Sequence, residues 1–320
     1  MSVLLETRHL KKYFDTPRGT LHAVDDVNLT INEGATLGVV GESGCGKSTL
    51  GRTVLRLLQA TSGEVLFQGQ DVMKMNKKDL RAFRNQAQII FQDPYASLNP
   101  RLTVSELIAE PLIAGHVMKN HADIEKKVFR MMDTVGLSAR MVNTYPHELD
   151  GGRRQRIGIA RALVLDPKFI VCDEPVSALD VSIQAQILNL LMDLQAEKKL
   201  TYMFVTHDLS VVKHISTEIA VMYLGNCVEY GPAKEIFVNP LHPYTKALLS
   251  AIPIPNLSNR GRKRELLTGE VSSPINPKPS CRFAARCPLA TEACKQCDIP
   301  LRDYGGGHFA ACCKLEATDK

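Results

Sequence analysis

The sequence contains no long apolar run. Nowhere in its 320 residues does an apolar stretch approach the roughly 18–20 residues that cross a bilayer. Residues 1–8 include Glu6 and lack the apolar core of a secretory signal, so we expect the chain to act in the cytosol. A membrane role would therefore have to come through partner subunits. The chain also has no internal repeat.

Neither basic nor acidic residues are in large excess. The chain carries 39 basic and 34 acidic residues, a net charge of only +5. The densest basic run, residues 260–264, is typical of a solvated linker, with nucleic acid or lipid head groups as lesser alternatives. No pattern of aromatic and basic residues accompanies it, so we expect no nucleic-acid partner.

Cysteine is sparse until the end of the chain. Cys45, Cys172 and Cys227 are scattered, whereas six of the nine cysteines stand in the last 40 residues. A reducing compartment argues against disulfides, so this late cluster indicates a metal or an iron–sulfur centre. Its members are Cys281, Cys287, Cys294, Cys297, Cys312 and Cys313.

Hydrophobic periodicity predicts an α/β protein. Residues 3–33 alternate as short strands about a turn at residues 16–19, and a helix is expected over residues 48–58. Residues 93–149 are mostly helical in pattern, and five prolines in residues 253–280 indicate an extended linker. Strands are expected at residues 35–40 and 87–91, with a last strand at 219–224. The unbroken apolar runs at residues 169–172 and 202–205 indicate parallel strands buried on both faces. A crossover helix carries Ile183, Ile187, Leu190, Leu191 and Leu194.

Residues 41–48, hereafter the phosphate loop, lie between a predicted strand and a predicted helix. In that context their backbone N–H groups can cradle phosphate oxygens, and the positive end of the helix adds attraction. Lys47 is expected to reach the β- and γ-phosphates, and Ser48 to ligate magnesium. The predicted ATP contacts are Gly41, Glu42, Ser43, Gly44, Cys45, Gly46, Lys47, Ser48 and Thr49.

Two carboxylates, Asp173 and Glu174, directly follow a buried strand. We expect Asp173 to hold magnesium and Glu174 to orient or deprotonate the attacking water. Such a pair is often only a turn, but the phosphate loop favours the functional interpretation. His207 follows the next apolar strand and is placed to contact the γ-phosphate, with a purely structural histidine as the alternative.

Further segments stand in a fixed order along the chain. Four of these segments look like the Q-loop, signature, D-loop and H-loop of ATP-binding cassettes. In that order they are Gln92; Asp150, Gly151 and Gly152; residues 177–180; and His207. The resemblance implies an ATPase with the catalytic residues Glu174, His207, Gln92 and Lys47. It implies a magnesium site formed by Ser48, Gln92 and Asp173.

The same resemblance implies two more nucleotide contacts. Asp180 belongs to the D-loop, and Tyr13 matches the aromatic residue that stacks on adenine. A half-buried core tyrosine is the alternative for Tyr13.

Three segments narrow the resemblance to the ATPases of dipeptide and oligopeptide importers. They are residues 92–101, residues 239–245, and the cysteine pattern that closes the chain. This family implies a second ATPase subunit, two transmembrane permease subunits and an extracytoplasmic peptide-binding protein, with the chain at the cytoplasmic face of the membrane. Alternatives are the same role in a nickel or glutathione importer, or an ABC ATPase outside transport.

The resemblance also implies the architecture. Residues 1–232 would form the cassette, with a RecA-like core, an antiparallel β subdomain and a helical subdomain at about residues 93–155. Residues 233–320, hereafter the extension, would carry the cysteines. Some relatives hold a [4Fe–4S] cluster at the positions of Cys281, Cys287, Cys294 and Cys312, and Zn²⁺ or unligated thiols are the alternatives.

The signature departs from the family pattern at Asp150 and Arg153, where serine and glutamine are usual. Asp can still cap the following helix. Its carboxylate would repel a γ-phosphate across a dimer interface by roughly 1 to 4 kcal/mol. One hypothesis is that Asp150 weakens the partner's ATP site. The alternative is that Arg153 neutralises Asp150.

Overall fold

The computed structural model describes residues 2–252, 272–296 and 298–315. Pro253, Pro255, the basic run at residues 260–264 and Cys297 lie outside the described residues. The strands are β1 Val3–Thr16, β2 Gly19–Asn32, β3 Thr36–Val40, β4 Ser62–Phe67, β5 Gln70–Asp71, β6 Ala87–Ile90, β7 Phe169–Asp173, β8 Thr201–Val205, β9 Glu218–Tyr223, β10 Asn226–Pro232, β11 Arg302–Asp303 and β12 Phe309–Ala310. The α-helices are α1 Lys47–Val54, α2 Lys77–Gln86, α3 Val104–Ala114, α4 His121–Thr134, α5 Gly151–Leu163, α6 Val181–Lys198, α7 Leu209–Ile215, α8 Ala233–Val238 and α9 Pro243–Ser250.

The chain folds into two compact units. Unit 1 is formed by Asn32–Gly34 and Lys74–Phe204, and unit 2 by Val3–Ile31, Ala35–Met73 and the described part of Val205–Lys320. The phosphate loop and the extension therefore belong to the same unit. The mixed α/β architecture confirms the predicted fold class.

Unit 2 contains an antiparallel sheet in the order β2-β1-β4-β5. The predicted turn joins β1 and β2, but both strands are 14 residues long rather than short. A register shift between Arg8 and Lys11 explains the difference, because His9 has a φ of 47° and bulges out of the ladder. The bulge interrupts the alternation of side chains without ending the strand.

A second sheet of unit 2 holds the strand that leads into the phosphate loop. β3 and β9 are parallel, β10 returns antiparallel to β9, and β12 pairs with β10. All five residues of β3 are buried, as expected of a strand covered on both faces. Helix α1 ends at Val54, four residues earlier than predicted, since Arg56 takes a left-handed φ of 50°.

Unit 1 combines a parallel layer with the helical subdomain. β6 pairs in parallel with β7, and β7 and β8 are buried along their whole length. The amphipathic helix α6 buries Ile187, Leu188, Leu191 and Leu194. Pro111 lies inside α3, and the helix continues through it.

One buried carboxylate anchors the extension to β10. Glu229, on β10, accepts hydrogen bonds from the backbone N–H groups of Leu241 and His242, at 2.8 and 2.9 Å. Its Oε1 also lies 2.7 Å from Nε2 of His308. Burial lowers the pKa of His242 to about 4, so its ring is neutral and accepts a hydrogen bond from the N–H of Tyr244. A single side chain of β10 thus joins residues 241–242 and His308 of the extension.

Replacing Glu229 tests this anchor. Glu229→Ala leaves three buried donors without their acceptor, and should lower the free energy of unfolding by about 3–5 kcal/mol. The exposed Glu235→Ala in α8 is the matched control, with an expected change within about 0.5 kcal/mol. Chemical denaturation measures both. Equal stability of the two variants would contradict the anchoring role.

Candidate nucleotide-binding site

Two glycines shape the phosphate loop, because neighbouring backbone leaves no room for a side chain. Gly41 has a φ of +153°, and a Cβ there would lie 2.1 Å from the carbonyl oxygen of Met222. Gly46, at the start of α1, has a φ of +103°, and its Cβ would meet the carbonyl oxygen of Ala23 at 1.9 Å. The loop is therefore fixed between β9 and β2. A backbone held in this way, at the beginning of a helix, fits a bound phosphate chain.

Lys47 lies inside this loop. Its side chain is buried, and its ammonium group donates to the carbonyl oxygens of Gly41 and Glu42 at 2.8 and 2.9 Å. The neighbouring thiol of Cys45 is buried too, and burial raises its pKa, so it stays neutral beside the lysine. Ser48 and Thr49 stand in the first turn of α1. The loop presents a single buried positive charge to an anionic ligand.

Tyr13 belongs to a small polar group in unit 2. Its hydroxyl donates to Asp25, and its ring stacks on His22 with centroids 3.8 Å apart. Burial and the bond to Asp25 raise the pKa of Tyr13. Burial alone would raise the pKa of Asp25, but hydrogen bonds from Tyr13 and His22 hold it below its ordinary value. The half-buried side chain is thus held at its hydroxyl and at one face of its ring.

The candidate hydrolytic residues of unit 1 are brought together. Asp173 is buried at the end of β7, and Glu174 follows it with a left-handed φ of 45°. Such a conformation is strained for a residue other than glycine and is often found at functional sites. The amide of Gln92 donates to the carboxylate of Glu174 at 2.9 Å. The sequence predicted both residues, but not that one would orient the other.

The signature and D-loop also meet within unit 1. Asp150 caps α5 by accepting from the N–H of Arg153 at 2.8 Å, which confirms the predicted N-cap. A Cβ on Gly152 would lie 2.8 Å from Ile183, in the first turn of α6, so the starts of α5 and α6 pack closely. Asp180 caps α6 by accepting from the N–H of Ile183.

Asp150 has an ionic partner as well. Its Oδ2 lies 3.4 Å from Nε of Arg153, and both side chains are about half exposed. The structure therefore contains the pairing on which the neutralisation hypothesis depends.

His207 is exposed just after β8 in unit 2. The flanking backbone is fixed, since the N–H of Thr206 donates to the carbonyl of Val39 and Asp208 caps α7.

The predicted cysteine cluster is not supported by the geometry. Within residues 2–252, 272–296 and 298–315, no group of three or more His, Cys, Asp or Glu side chains is arranged to hold a metal ion. Cys294 Sγ instead lies 3.3 Å from Sγ of Cys313, a residue that the sequence analysis did not include among the ligands. Cys281 and Cys287 pack against an aromatic core, and burial raises the pKa of Cys281 to about 11.

Comparison with known proteins places this site in a family. Residues 24–177 match the family model "ABC transporter", and residues 228–294 match "Oligopeptide/dipeptide transporter, C-terminal region". The chain is 52% identical to the oligopeptide transport ATP-binding protein OppF of Salmonella typhimurium, with 98% of this chain and 97% of that protein covered. The chain belongs to the ABC transporter family of ATP-hydrolysing proteins. This ABC ATPase is also 49% identical to the dipeptide transport ATP-binding protein DppF of Escherichia coli. That alignment covers 99% of this chain and 96% of the relative.

A solved structure supports the same fold for this ABC ATPase. A dimeric ATP-binding cassette in a post-hydrolysis state, bound to ADP and phosphate, aligns with a TM-score of 0.66 at 29% identity. The alignment covers 72% of this chain and 99% of that one. Among the residues that the structure describes, no helix is long and apolar enough to cross a membrane.

The packing of the phosphate loop gives a matched pair of variants. Gly46→Ala should abolish ATP binding, because its methyl group would overlap the carbonyl of Ala23. Gly44→Ala is the control: its φ is also positive, at +77°, but a Cβ there would have no atom within 4 Å. It should cost only about 1–2 kcal/mol of backbone strain. Equilibrium titration with MgATP compares the two, and an equal loss of affinity would contradict the steric explanation.

Proposed function

We propose that this chain is one of the ATPase subunits of a peptide importer, and that its ATP hydrolysis drives uptake of di- or oligopeptides. The observation that carries the proposal is full-length identity of about 50% to oligopeptide and dipeptide transport ATP-binding proteins, together with the match of the C-terminal region. The partners would be a second ATPase subunit, two permease subunits and an extracytoplasmic peptide-binding protein. The chain would lie at the cytoplasmic face of the membrane through the permeases.

The residues have the following roles in this proposal. The phosphate loop and Lys47 bind the phosphates of ATP, Tyr13 supports the adenine, and Ser48, Asp173 and Gln92 hold Mg²⁺. The metal ion would neutralise charge on the transferring phosphate. Glu174 orients the attacking water, and Gln92 holds its carboxylate in place. His207 contacts the γ-phosphate, and residues 150–152 and Asp180 serve the site of a second cassette. A dimeric relative supports this pairing.

A groove in unit 1 is suited to a permease helix. It has a volume of about 280 Å³ and is lined by Phe91, Leu98, Glu110, Gln155 and Arg161, among others. The buried Nε2 of Gln155 has no hydrogen-bond partner in the described part of the chain. Arg161 bridges the walls, since it pairs with Glu110 at 2.9 Å and donates to the carbonyl of Ser97 at 2.9 Å. A helix end offering a carbonyl oxygen would satisfy Gln155.

Exposed apolar side chains accompany this groove on unit 1. Phe91, Tyr95 and Ile113 are 37%, 64% and 57% exposed. Phe91 and Tyr95 flank or belong to residues 92–101, the segment that resembles the importer ATPases. These side chains give a partner apolar surface to bury.

Glu174→Gln tests the proposed function in the assembled transporter. The variant should keep ATP binding but lose at least about 100-fold in hydrolysis, since the general base is gone. Uptake of a labelled tripeptide into vesicles that contain the permeases and the binding protein should fall with it. The control is Glu197→Gln, the same change at an exposed position of α6. ATP-dependent uptake of nickel or glutathione, without peptide uptake, would refute peptide cargo.

The pair Asp150–Arg153 gives a second prediction. Because Arg153 lies beside the carboxylate, Asp150→Ser should change the ATPase rate of the assembled complex by less than about threefold. Arg153→Ala should lower the rate, and Asp150→Ser in that background should restore it. A large gain from Asp150→Ser alone would show instead that Asp150 weakens the partner's ATP site.

The cofactors of this proposal are ATP and Mg²⁺. A [4Fe–4S] cluster or Zn²⁺ at Cys281, Cys287, Cys294 and Cys312 finds no support in the described geometry.

A further inference from the structure

Glu42 places a carboxylate inside the phosphate loop. It stands directly after Gly41, and its own carbonyl oxygen accepts from the ammonium group of Lys47 at 2.9 Å. An unpaired negative charge so near the binding site would repel the phosphates of ATP. The loop therefore needs a compensating charge, and the described part of the loop supplies only Lys47.

The extension supplies that charge. Arg286 donates from both terminal nitrogens to the carboxylate of Glu42, at 2.8 and 3.1 Å. Its side chain is only 6% exposed, and the bonds to Glu42 raise its pKa, so it stays charged. Two parallel bonds from a planar guanidinium fix the direction of the carboxylate as well as neutralising it.

A second residue of the extension holds the backbone of the same loop residue. The N–H of Glu42 donates to the hydroxyl of Tyr244 at 2.9 Å. Tyr244 lies in residues 239–245, the segment that resembled the opening of the importer ATPases' C-terminal region. It is fully buried beside Tyr223 and Phe283, with ring centroids 4.7 and 5.4 Å away.

The burial of Arg282 and Arg286 opposes folding, which favours a role in the site over a role in stability. Nε of Arg286, and Nε and Nη1 of Arg282, are buried without a hydrogen-bond partner among the described residues. Burying such donors opposes folding, and a buried ion pair is weak evidence for stability. Arg282, four residues before Arg286, pairs with Asp25, the residue that holds Tyr13. One arginine of this segment thus pairs with the phosphate loop, and the other pairs with the residue that holds Tyr13.

We infer that Arg286 is a positioning residue for ATP binding: it neutralises Glu42 and fixes the phosphate loop, so that the extension completes the nucleotide site. Tyr244 supports the same loop residue from its backbone. The inference rests on the proposed role of the phosphate loop in binding ATP, but not on the identity of the transported cargo.

Direct binding of MgATP to the full-length chain tests this inference, in a Glu174→Gln background that prevents hydrolysis. Arg286→Ala should weaken binding roughly five- to tenfold, because the carboxylate of Glu42 is left uncompensated. This loss of affinity should become smaller as the salt concentration is raised, since ions screen the repulsion between Glu42 and the phosphates. Arg286→Lys, which keeps the charge, should bind more tightly than Arg286→Ala. Lys295→Ala removes an exposed ion pair of the same extension and should leave binding unchanged.

A second substitution separates charge from structure. Adding Glu42→Gln to Arg286→Ala removes the uncompensated charge and should restore most of the affinity. A merely structural arginine would give no such rescue, and melting temperatures measured without nucleotide confirm that each variant is folded. Unchanged affinity in Arg286→Ala, or no rescue by Glu42→Gln, would overturn the inference. Loss of peptide uptake in the assembled transporter would not contradict the role of Arg286, because that role concerns only ATP binding. A parent chain that binds no MgATP would instead refute the proposed function.

Discussion

The nucleotide site of unit 2 depends on a steric constraint: at two positions of the phosphate loop, a backbone carbonyl leaves no room for a side chain. Met222 at the end of β9 bounds it at Gly41, and Ala23 in β2 bounds it at Gly46. Because both neighbours are backbone atoms of strands, they cannot move aside as a flexible side chain would. The course of the loop at Gly41 and Gly46 is thus fixed by the neighbouring strands β9 and β2, before any ligand binds.

The rest of unit 2 reinforces this constraint from the C-terminal side. Glu229 holds residues 241–242 and His308 of the extension, and Tyr244 and Arg286 then reach the phosphate loop. The aromatic cluster of Tyr223, Tyr244 and Phe283 supplies the apolar contacts that make these polar groups rigid. The described extension is therefore packed against the cassette strands, although it follows them in sequence.

Sequence reasoning located the fold well, and it picked out candidate site residues, because both rest on local signals. Glycine spacing, buried strands and the paired acids all act through neighbours in the chain, and β3, β7 and β8 appeared within one residue or so of expectation. Arg286, Arg282 and Tyr244 were missed as site residues because each meets a partner more than 200 positions away. Nothing in the local pattern distinguishes such an arginine from a solvated one. The length of α1 and of β1 was also misjudged, since a left-handed residue leaves no clear mark on hydrophobic periodicity.

One contact in unit 1 links two segments for which different partners are proposed. Arg154, in the signature helix α5, stacks on the ring of Tyr95 at 3.6 Å and donates to the carbonyl of Pro146. Tyr95 is 64% exposed, on the segment assigned to the permease, while α5 begins at the residues assigned to a second cassette. Arg161, also in α5, donates to the carbonyl of Ser97 in the same segment. A displacement of this segment would therefore reach α5 by direct side-chain contact rather than along the intervening fifty or so residues of chain. The surfaces proposed to meet a permease and a second cassette would thus be joined through one helix.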